Sequence, residues 1–214
     1  MTTTRIDLIR HGEPVGGKRY RGDQIDDPLN ETGWQQMQTR IERIAALGED
    51  DWDVIISSPL SRCQAFARHL GEQRRLPVQI NSNIREIGFG RWEGLTHAEI
   101  PKQYPEEFAA FRADPVAGRP AGAESMHEFF KRVSQALDTI GQEHRGRRVL
   151  LVSHAVVMRA ALAIAMDAPM QSVARIRTEY AAWLQLTKAA GEPWRLACLD
   201  NSLPNGAHHP GGGG

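Results

Sequence analysis

The sequence predicts an α/β fold, a three-layer sandwich in which helices cover both faces of a mostly parallel central sheet. Short β-branched apolar segments alternate along the chain with longer segments whose apolar residues recur at three- and four-residue spacings. The chain has 214 residues, of which 41% are apolar and 24% charged, and a chain of this size buries a sufficient core without disulfides. We therefore expect one domain over residues 1–203.

Four short segments are predicted as buried strands because each is rich in β-branched residues and bounded by polar or turn residues. They span residues 6–9, 54–56, 78–80 and 149–152. Towards the C-terminus, the pattern predicts closing strands at residues 174–180, 182–186 and 194–198. Because the first four segments alternate with helical ones, we expect them to pair in parallel.

Three helices are predicted from apolar periodicity and from residues that favour helix ends. They span residues 31–47, 59–74 and 124–140. Gly48 is expected to end the first helix and Gly141 the third. In the second, Pro59 suits the first turn and Ser58 is the candidate N-cap.

Residues 84–122 interrupt this alternation, because glycines and prolines are scattered there among short helical segments. We expect a helical excursion that passes over the active-site edge of the sheet and forms part of the substrate site. Residues 204–214, which end in four glycines, are expected to form a flexible tail.

Composition excludes several classes of partner. The 26 basic and 26 acidic residues give a pI near 7.1 and no general attraction to nucleic acid or anionic lipid. The N-terminus lacks the apolar stretch of a signal peptide, and the longest apolar segment, 155–166, contains Arg159 and is too short for a membrane span. Cys63 and Cys198 suit a reducing compartment. We therefore expect a soluble cytoplasmic protein, with monomer and homodimer both left open.

Charged residues follow several of the predicted strands. Arg10 and His11 come directly after the first strand, Arg62 follows the second, and His154 follows the strand at 149–152. Ligands of parallel sheets bind beyond the carboxyl ends of the strands, so these side chains should converge at one edge. Helix N-termini after Ser58 and His154 would add backbone N–H donors. Such a cluster is an anion site.

The chemistry that suits this cluster is phosphoryl transfer. A neutral imidazole is a nucleophile near pH 7, and two fixed guanidiniums can hold phosphate oxygens, so neither a metal nor a cofactor is required. The leaving alkoxide needs a proton, for which Glu13, Glu86 and Glu93 are candidates. We prefer Glu86 because it lies where the chain enters the excursion. Glu93 is the second choice, although pairing with Arg85 or Arg91 is its simpler interpretation.

Four blocks of sequence resemble the ordered motifs of the histidine phosphatase superfamily, which is also called the phosphoglycerate mutase-like family. The blocks occur in the family's order and spacing, and together they cover nearly the whole chain up to about residue 200. They are Arg10-His11-Gly12-Glu13, Ser57-Ser58-Pro59 with Arg62, Glu86 followed by residues 88–94, and Ser153-His154.

The resemblance implies a phosphoglycerate mutase-like fold and a role for each motif residue. His11 resembles the histidine that becomes transiently phosphorylated. Arg10, Arg62 and His154 resemble the rest of the phosphate pocket, and Glu86 matches the family's proton donor. The implied activity is that of a metal-independent phosphomonoesterase with a phosphohistidine intermediate.

Within the superfamily, residues 21–29, 32–34 and 120–125 are most similar to α-ribazole phosphatases of cobalamin assembly. This similarity implies α-ribazole 5′-phosphate as the substrate and Arg21, Gly22 and Ser125 as substrate contacts. Broad-specificity phosphatases of small phosphorylated metabolites share most of the same blocks and remain an alternative.

The chain departs from the family pattern at three places. Gly17 stands where many members have a phosphate-contacting asparagine, and Ala123 stands where a glycine is common. Ala155 and Val156 replace the glycines that usually follow the second histidine. Ala155 keeps its backbone N–H, so we still expect it to bind phosphate.

Two other classes of function compete with the phosphatase. A phospho-ligand binding protein would keep the pocket and lack turnover, and the presence of Glu86 argues against it. A metal hydrolase could be built on the eight histidines, but no His-Glu-x-x-His motif or paired-cysteine spacing occurs, and His208 and His209 lie in the expected tail.

Overall fold

A six-stranded sheet forms the middle layer of the protein in a computed structural model that describes residues 2–202. The strands are β1 (Thr3–Arg10), β2 (Val54–Ser57), β3 (Val78–Ile80), β4 (Arg148–Ser153), β5 (Trp183–Ala189) and β6 (Arg195–Asp200). Their order in the sheet is β3-β2-β4-β1-β5-β6. The four strands from β3 to β1 pair in parallel, while β5 pairs antiparallel with β1 and with β6. The predicted mostly parallel sheet is confirmed.

Helices cover both faces of this sheet, which confirms the three-layer α/β fold. They are α1 (Glu31–Ala46), α2 (Ser61–Arg74), α3 (Ile100–Gln103), α4 (Pro105–Ala113), α5 (Met126–Glu143) and α6 (Ala155–Ala165). The apolar sides of α1 and α2 pack against one face, and those of α5 and α6 against the other. Within residues 2–202, no helix combines the length and the hydropathy that crossing a bilayer requires.

The central strands are apolar on both sides because both faces of the sheet are covered. In β4, Val149 and Leu151 belong to the core under α5 and α6, whereas Leu150 and Val152 belong to the core under α1 and α2. All four side chains are fully buried. The short β-branched runs of the sequence thus mark the middle of the sheet.

The predicted excursion at 84–122 contains a 3₁₀ turn at Gly90–Trp92 and the short helices α3 and α4. Trp92 is fully buried and anchors the segment, with ring centroids 5.2 Å from Phe111 and 6.3 Å from Phe108. The predicted tail at 204–214 and the predicted domain end at 203 lie outside the described residues.

The helix boundaries differ from the prediction by up to three residues. The second helix begins at Ser61 rather than Pro59, and Leu60 occupies its N-cap position. The predicted cap, Ser58, instead accepts from the Leu60 N–H at 3.3 Å, and its hydroxyl lies 2.7 Å from Nε2 of His154. The third predicted helix continues through Gly141 to Glu143. Gly141 allows close packing there, since a Cβ atom at this position would lie 2.9 Å from the Trp194 ring.

The predicted strand at 174–180 is wrong. A 3₁₀ turn at Met170–Arg175 is followed by irregular chain that leads into β5. Both edges of β1 are already paired, with β4 and with β5, so this segment has no place beside it. The carbonyl of Thr178 accepts a hydrogen bond from Arg10 instead.

A fully buried carboxylate in the middle of β1 ties three parts of the fold together. The side chain of Asp7 accepts hydrogen bonds from the indole nitrogens of Trp52, at 2.8 Å, and Trp183, at 2.9 Å. The guanidinium of Arg5 lies 3.0 Å from the same carboxylate. A buried charge is tolerated only when its partners are present, so this group depends on both tryptophans.

We expect Asp7→Asn to lower the free energy of unfolding by about 2–4 kcal/mol, because the amide can accept from one indole but presents its own N–H donors to the other. Urea denaturation measures the change. Asp138→Asn, at an exposed position of α5, is the matched control and should change stability by less than about 0.5 kcal/mol. Equal stability of the two variants would contradict this account of Asp7.

Candidate active site

The pairing of β1 with β4 brings two histidines together at the carboxyl edge of the sheet. Arg10 lies opposite Ser153 in the parallel register, and the backbone N–H of His11 donates to the Ser153 carbonyl at 2.9 Å. His11 and His154 therefore follow neighbouring strand ends. Their ring centroids are 5.2 Å apart in an edge-to-face arrangement.

His11 has one ring nitrogen engaged and the other available. Its Nδ1 lies 2.7 Å from the carbonyl oxygen of Gly12, an acceptor, so Nδ1 carries the proton and Nε2 keeps its lone pair. Burial, together with the positive charges of Arg62 and Arg10, lowers the pKa of His11 well below its usual value. The ring is therefore neutral near pH 7, with Nε2 able to act as a nucleophile.

Gly12 permits the close approach that sets this geometry. A Cβ atom at Gly12 would lie 2.1 Å from the backbone oxygen of Gly33, at the start of α1. The chain after β1 is therefore pressed against α1, and a side chain at either glycine would displace the strand end that carries His11.

His154 lies behind His11, fully buried. Its Nε2 is 2.7 Å from the hydroxyl of Ser58, and burial and the charge of Arg62 lower its pKa well below the usual value. The Cys63 sulfur lies 3.6 Å from the same ring nitrogen, and burial raises the pKa of this thiol. Cys63 thus packs against the site as an apolar residue would.

The two arginines of the predicted phosphate pocket are held by backbone carbonyls. Arg10 donates to the Thr178 carbonyl at 2.6 Å, and its guanidinium lies 4.2 Å from the centre of the Tyr180 ring. Arg62 donates to the carbonyls of Ile25, at 2.9 Å, and Gly22, at 2.8 Å.

Both guanidiniums also keep a donor unused. Among residues 2–202, the buried Nε atoms of Arg10 and Arg62 have no hydrogen-bond partner. A buried N–H group without an acceptor is costly, and both arginines line the cavity in which an anion would bind. The unused donors therefore favour a bound oxyanion between these side chains.

Glu86 is the predicted acid that the structure brings to the same cavity as His11. Its side chain is 8% exposed, and its Oε2 accepts from the Val156 N–H in the first turn of α6 at 3.3 Å. Its Oε1 accepts from the Ile87 N–H at 3.2 Å. The carboxyl group is therefore oriented by two backbone amides while remaining accessible from the cavity.

Arg132, on α5, fixes the backbone around Glu86. It donates to the carbonyls of Asn83, Arg85 and Glu86 at 2.8 to 3.0 Å, and it forms a two-point ion pair with Glu124 at 2.7 and 2.8 Å. This arginine was not identified from the sequence. It holds the segment that carries the candidate acid against α5.

The other two candidate acids have structural contacts instead. Glu93 accepts from backbone N–H groups of Phe89 at 2.8 Å and Gln24 at 2.9 Å, and so joins the excursion to the loop after β1. It pairs with neither Arg85 nor Arg91, which contradicts the simpler interpretation from the sequence; those arginines pair with Asp23 and Glu107. Glu13 accepts from the side chain of Asn30.

The site opens into a cavity of about 710 Å³. Most of the predicted site residues line it, whereas His154 lies behind the lining and Ser125 is absent from it. The Ser125 hydroxyl accepts from the Glu128 N–H and caps α5. The predicted residues on the lining are Arg10, His11, Arg21, Gly22, Arg62, Glu86 and Ala155.

Arg21 and Gly22 shape the loop beside the cavity. Arg21 donates to the Asp27 carboxylate at 2.9 Å and to the carbonyls of Val15, at 2.6 Å, and Gly17, at 2.8 Å. Gly17, which replaces the family's asparagine, has a φ of +72°. Gly22 has a φ of +59°, and a Cβ atom there would meet the Glu93 carboxylate at 1.9 Å.

Ala155 is the first residue of α6, where a backbone N–H has no partner within the helix. The N–H of the next residue, Val156, is taken by Glu86. Within residues 2–202, no three side chains of the His, Cys, Asp and Glu types form a group that would hold a metal ion.

Among the lining residues that sequence analysis missed are Tyr180, Arg119 and Arg159. Arg159 carried a signal, since it is the one charge within the apolar segment 155–166. Tyr180 and Arg119 belong to irregular segments, where no periodicity indicates which way a side chain points.

Comparison with known proteins agrees with this geometry. Residues 6–201 match the family described as "Histidine phosphatase superfamily (branch 1)". Phosphoserine phosphatase 1 of Hydrogenobacter thermophilus is 34% identical over 160 residues, which cover 73% of each chain. The adenosylcobalamin/alpha-ribazole phosphatase of Escherichia coli is 28% identical over 181 residues, which cover 84% of this chain and 87% of the relative.

The fold likewise matches solved structures. A mycobacterial glucosyl-3-phosphoglycerate phosphatase in complex with VO3 superposes with a TM-score of 0.78 and 29% identity, over 92% of this chain and 99% of the other. Some other sequence relatives are longer, so that the match spans 45% of their length. The chain belongs to the histidine phosphatase superfamily and is a hydrolase of phosphate monoesters.

Proposed function

We propose that the protein hydrolyses small phosphorylated metabolites through a phosphohistidine on His11, without a metal ion. The observation that carries the proposal is the state of His11: a buried, neutral imidazole with Nδ1 engaged by Gly12 and Nε2 available, beside two guanidiniums with unused donors. This combination supplies a nucleophile and a positive field in one place.

In the first step, the ester binds with its phosphoryl oxygens on Arg10, Arg62 and the N–H of Ala155. Nε2 of His11 attacks phosphorus, so a P–N bond forms while the P–O bond to the alcohol breaks. Glu86 gives its proton to the leaving oxygen, and the alcohol departs. The Gly12 carbonyl stabilises the positive ring through the Nδ1 proton.

In the second step, Glu86 acts as a base. It takes a proton from a water molecule whose oxygen attacks phosphorus, the P–N bond breaks, and the electron pair returns to Nε2 of His11. Inorganic phosphate leaves, and Glu86 is protonated again for the next cycle. The ring of His154, which is bonded to Ser58, packs edge-to-face against the ring of His11 and supports it in position.

For the substrate, the sequence similarity favours α-ribazole 5′-phosphate, and the E. coli relative named for that activity supports it. Aromatic side chains on the cavity lining, among them Phe89 and Phe108, suit an aromatic base. The alternative is broad specificity, since relatives named for phosphoserine and glucosyl-3-phosphoglycerate have higher identities, 34% and 32%, than the 28% of the E. coli relative. Free Cys63 and Cys198 support a cytoplasmic setting.

We expect His11→Ala to lower turnover by about 10⁴-fold or more, because the variant lacks the nucleophile that accepts the phosphoryl group. Phosphate release is measured in chelator with α-ribazole 5′-phosphate, 3-phosphoglycerate, fructose bisphosphates and an aryl phosphate. His127→Ala, at an exposed position of α5, is the control and should retain wild-type rates. Retained activity of His11→Ala would contradict the mechanism, and tight ester binding by the wild type without release would indicate a binding protein.

We expect Glu86→Gln to lower kcat/KM for alkyl phosphates by about 10²–10⁴-fold, because the amide cannot protonate the leaving alkoxide. An aryl phosphate leaves without that proton, so its kcat/KM should fall much less. Steady-state kinetics on the two substrates give the ratio. Glu72→Gln, on the exposed side of α2, is the control. A similar loss for both substrates would argue that Glu86 has only a structural role.

The lowered pKa of His154 predicts how stability depends on pH. The folded state binds this proton less readily than the unfolded chain, whose histidine pKa is about 6.5, so the free energy of unfolding is highest above that pH and falls as the pH drops below it. We expect His154→Gln, which can still bond to Ser58, to reduce this dependence between roughly pH 5 and 7, while His11, whose pKa is also lowered by burial, keeps its own contribution. Urea denaturation across that range is the test, and an unchanged slope would contradict it.

A further inference from the structure

The cavity carries more positive charge than one phosphate group requires. Seven arginines line it, whereas Glu86 is the one carboxylate on the lining of the described residues. Arg10, Arg21 and Arg62 lie around the proposed phosphate position. The other four are Arg19, Arg112, Arg119 and Arg159.

Arg159 lies next to the phosphate pocket. It projects from the second turn of α6, and its Nε donates to the hydroxyl of Thr178 at 3.2 Å. The backbone carbonyl of Thr178 accepts from Arg10, so both arginines bind this one residue. Burial lowers the pKa of Arg159. Within residues 2–202, no carboxylate forms an ion pair with it.

Arg119 lies on the excursion, with its orientation fixed. It donates to the Gly88 carbonyl at 2.6 Å and to the Glu124 carbonyl at 3.1 Å, and its guanidinium lies 4.7 Å from the centre of the Phe89 ring. Burial lowers the pKa of Arg119 to about 10. In the part of the chain that the structure describes, this guanidinium also lacks a carboxylate in ion-pair contact.

Both arginines share the cavity lining with Tyr20, whose ring lies 4.7 Å from that of Phe89, the ring that Arg119 covers. Burial raises the pKa of Tyr20, while the nearby cations of Arg119, Arg112 and Arg159 oppose that rise. All four side chains line the same cavity. The positive charges therefore face the same cavity as the phosphate pocket.

Unpaired cations in a partly desolvated cavity are costly unless a ligand pairs with them. Elsewhere in the fold, buried arginines have carboxylate partners, as Arg132 has in Glu124 and Arg40 in Asp200. The cavity differs because Glu86 is the one lining carboxylate among the described residues, against seven arginines.

We propose that Arg119 and Arg159 form a subsite for a second anionic group, a carboxylate or a phosphate, on the alcohol half of the substrate. Planar guanidiniums bind either group by two-point contacts, and Tyr20 and Phe89 contact the carbon atoms between the two anions. The inference rests on the proposed phosphomonoesterase and narrows its substrate class. It disfavours α-ribazole 5′-phosphate, whose nucleoside carries no second anion.

Two pairs of matched esters test the subsite. 3-Phosphoglycerate and glycerol 3-phosphate differ by a carboxylate, and fructose 1,6-bisphosphate and fructose 6-phosphate differ by a second phosphate. We expect the acidic member of at least one pair to have a kcat/KM about tenfold or more above its partner. The pair that shows the preference identifies the anion.

Arg159→Met should reduce that preference about tenfold, and Arg119→Met should do the same. Within the part of the chain that the structure describes, the Arg159 side chain makes one hydrogen bond, to Thr178, so its variant keeps the test valid if loss of Arg119 disturbs the fold. Arg68→Met, at an exposed position of α2, is the control and should leave the preference unchanged. An absence of preference in both pairs, or a preference that both variants retain, would overturn the subsite.

Calorimetric binding of the same esters to His11→Ala separates this inference from the proposed function. Tighter binding of an acidic ester, lost in His11→Ala/Arg159→Met, supports the subsite even if the wild type hydrolyses no ester in the panel. Equal binding within each pair contradicts it even if hydrolysis proceeds as proposed.

Discussion

The site depends on one constraint, the in-register parallel pairing of β1 with β4. Because Arg10 lies opposite Ser153, the residues that follow, His11 and His154, leave the sheet side by side. A shift of one residue would reverse the faces of the strand and remove both Ile6 and Leu8 from the core under α5 and α6. Hydrophobic burial along the strands thus determines the geometry of the histidines at their ends.

Electrostatics of the site follow from how its arginines are held. Arg10, Arg62 and Arg119 donate to main-chain carbonyls, which orient each guanidinium without adding a negative charge. Among the described residues, the ion-pair contact of these three arginines is that of Arg62 with Asp26, at 4.0 Å. Most of their positive charge therefore remains directed at the cavity, and the charges of Arg62 and Arg10 contribute to keeping His11 neutral. An oxyanion enters a site that is already arranged, so little reorganisation is needed when charge develops during transfer.

The sequence allowed the fold and the centre of the site to be predicted, because both depend on short-range patterns. β-branched runs mark the buried strands, and the residues directly after them must meet at one edge. The rest depends on tertiary contacts. Gly141 looked like a helix end and is a packing position against Trp194. The segment at 174–180 has strand composition, but both sides of β1 are already paired, with β4 and with β5. Arg132 and Asp7 act through partners distant in sequence, which no local pattern reveals.

The most direct test of the central claim is to trap the phosphoryl group on the enzyme. Wild-type protein is mixed with a radiolabelled phosphate ester, quenched in alkaline detergent and digested, and the labelled peptide is sequenced. The account predicts a label on Nε2 of His11 that is stable in alkali, is lost in acid and is absent from His11→Ala. A label on another residue, or turnover with no label on either ring nitrogen of His11, would contradict it.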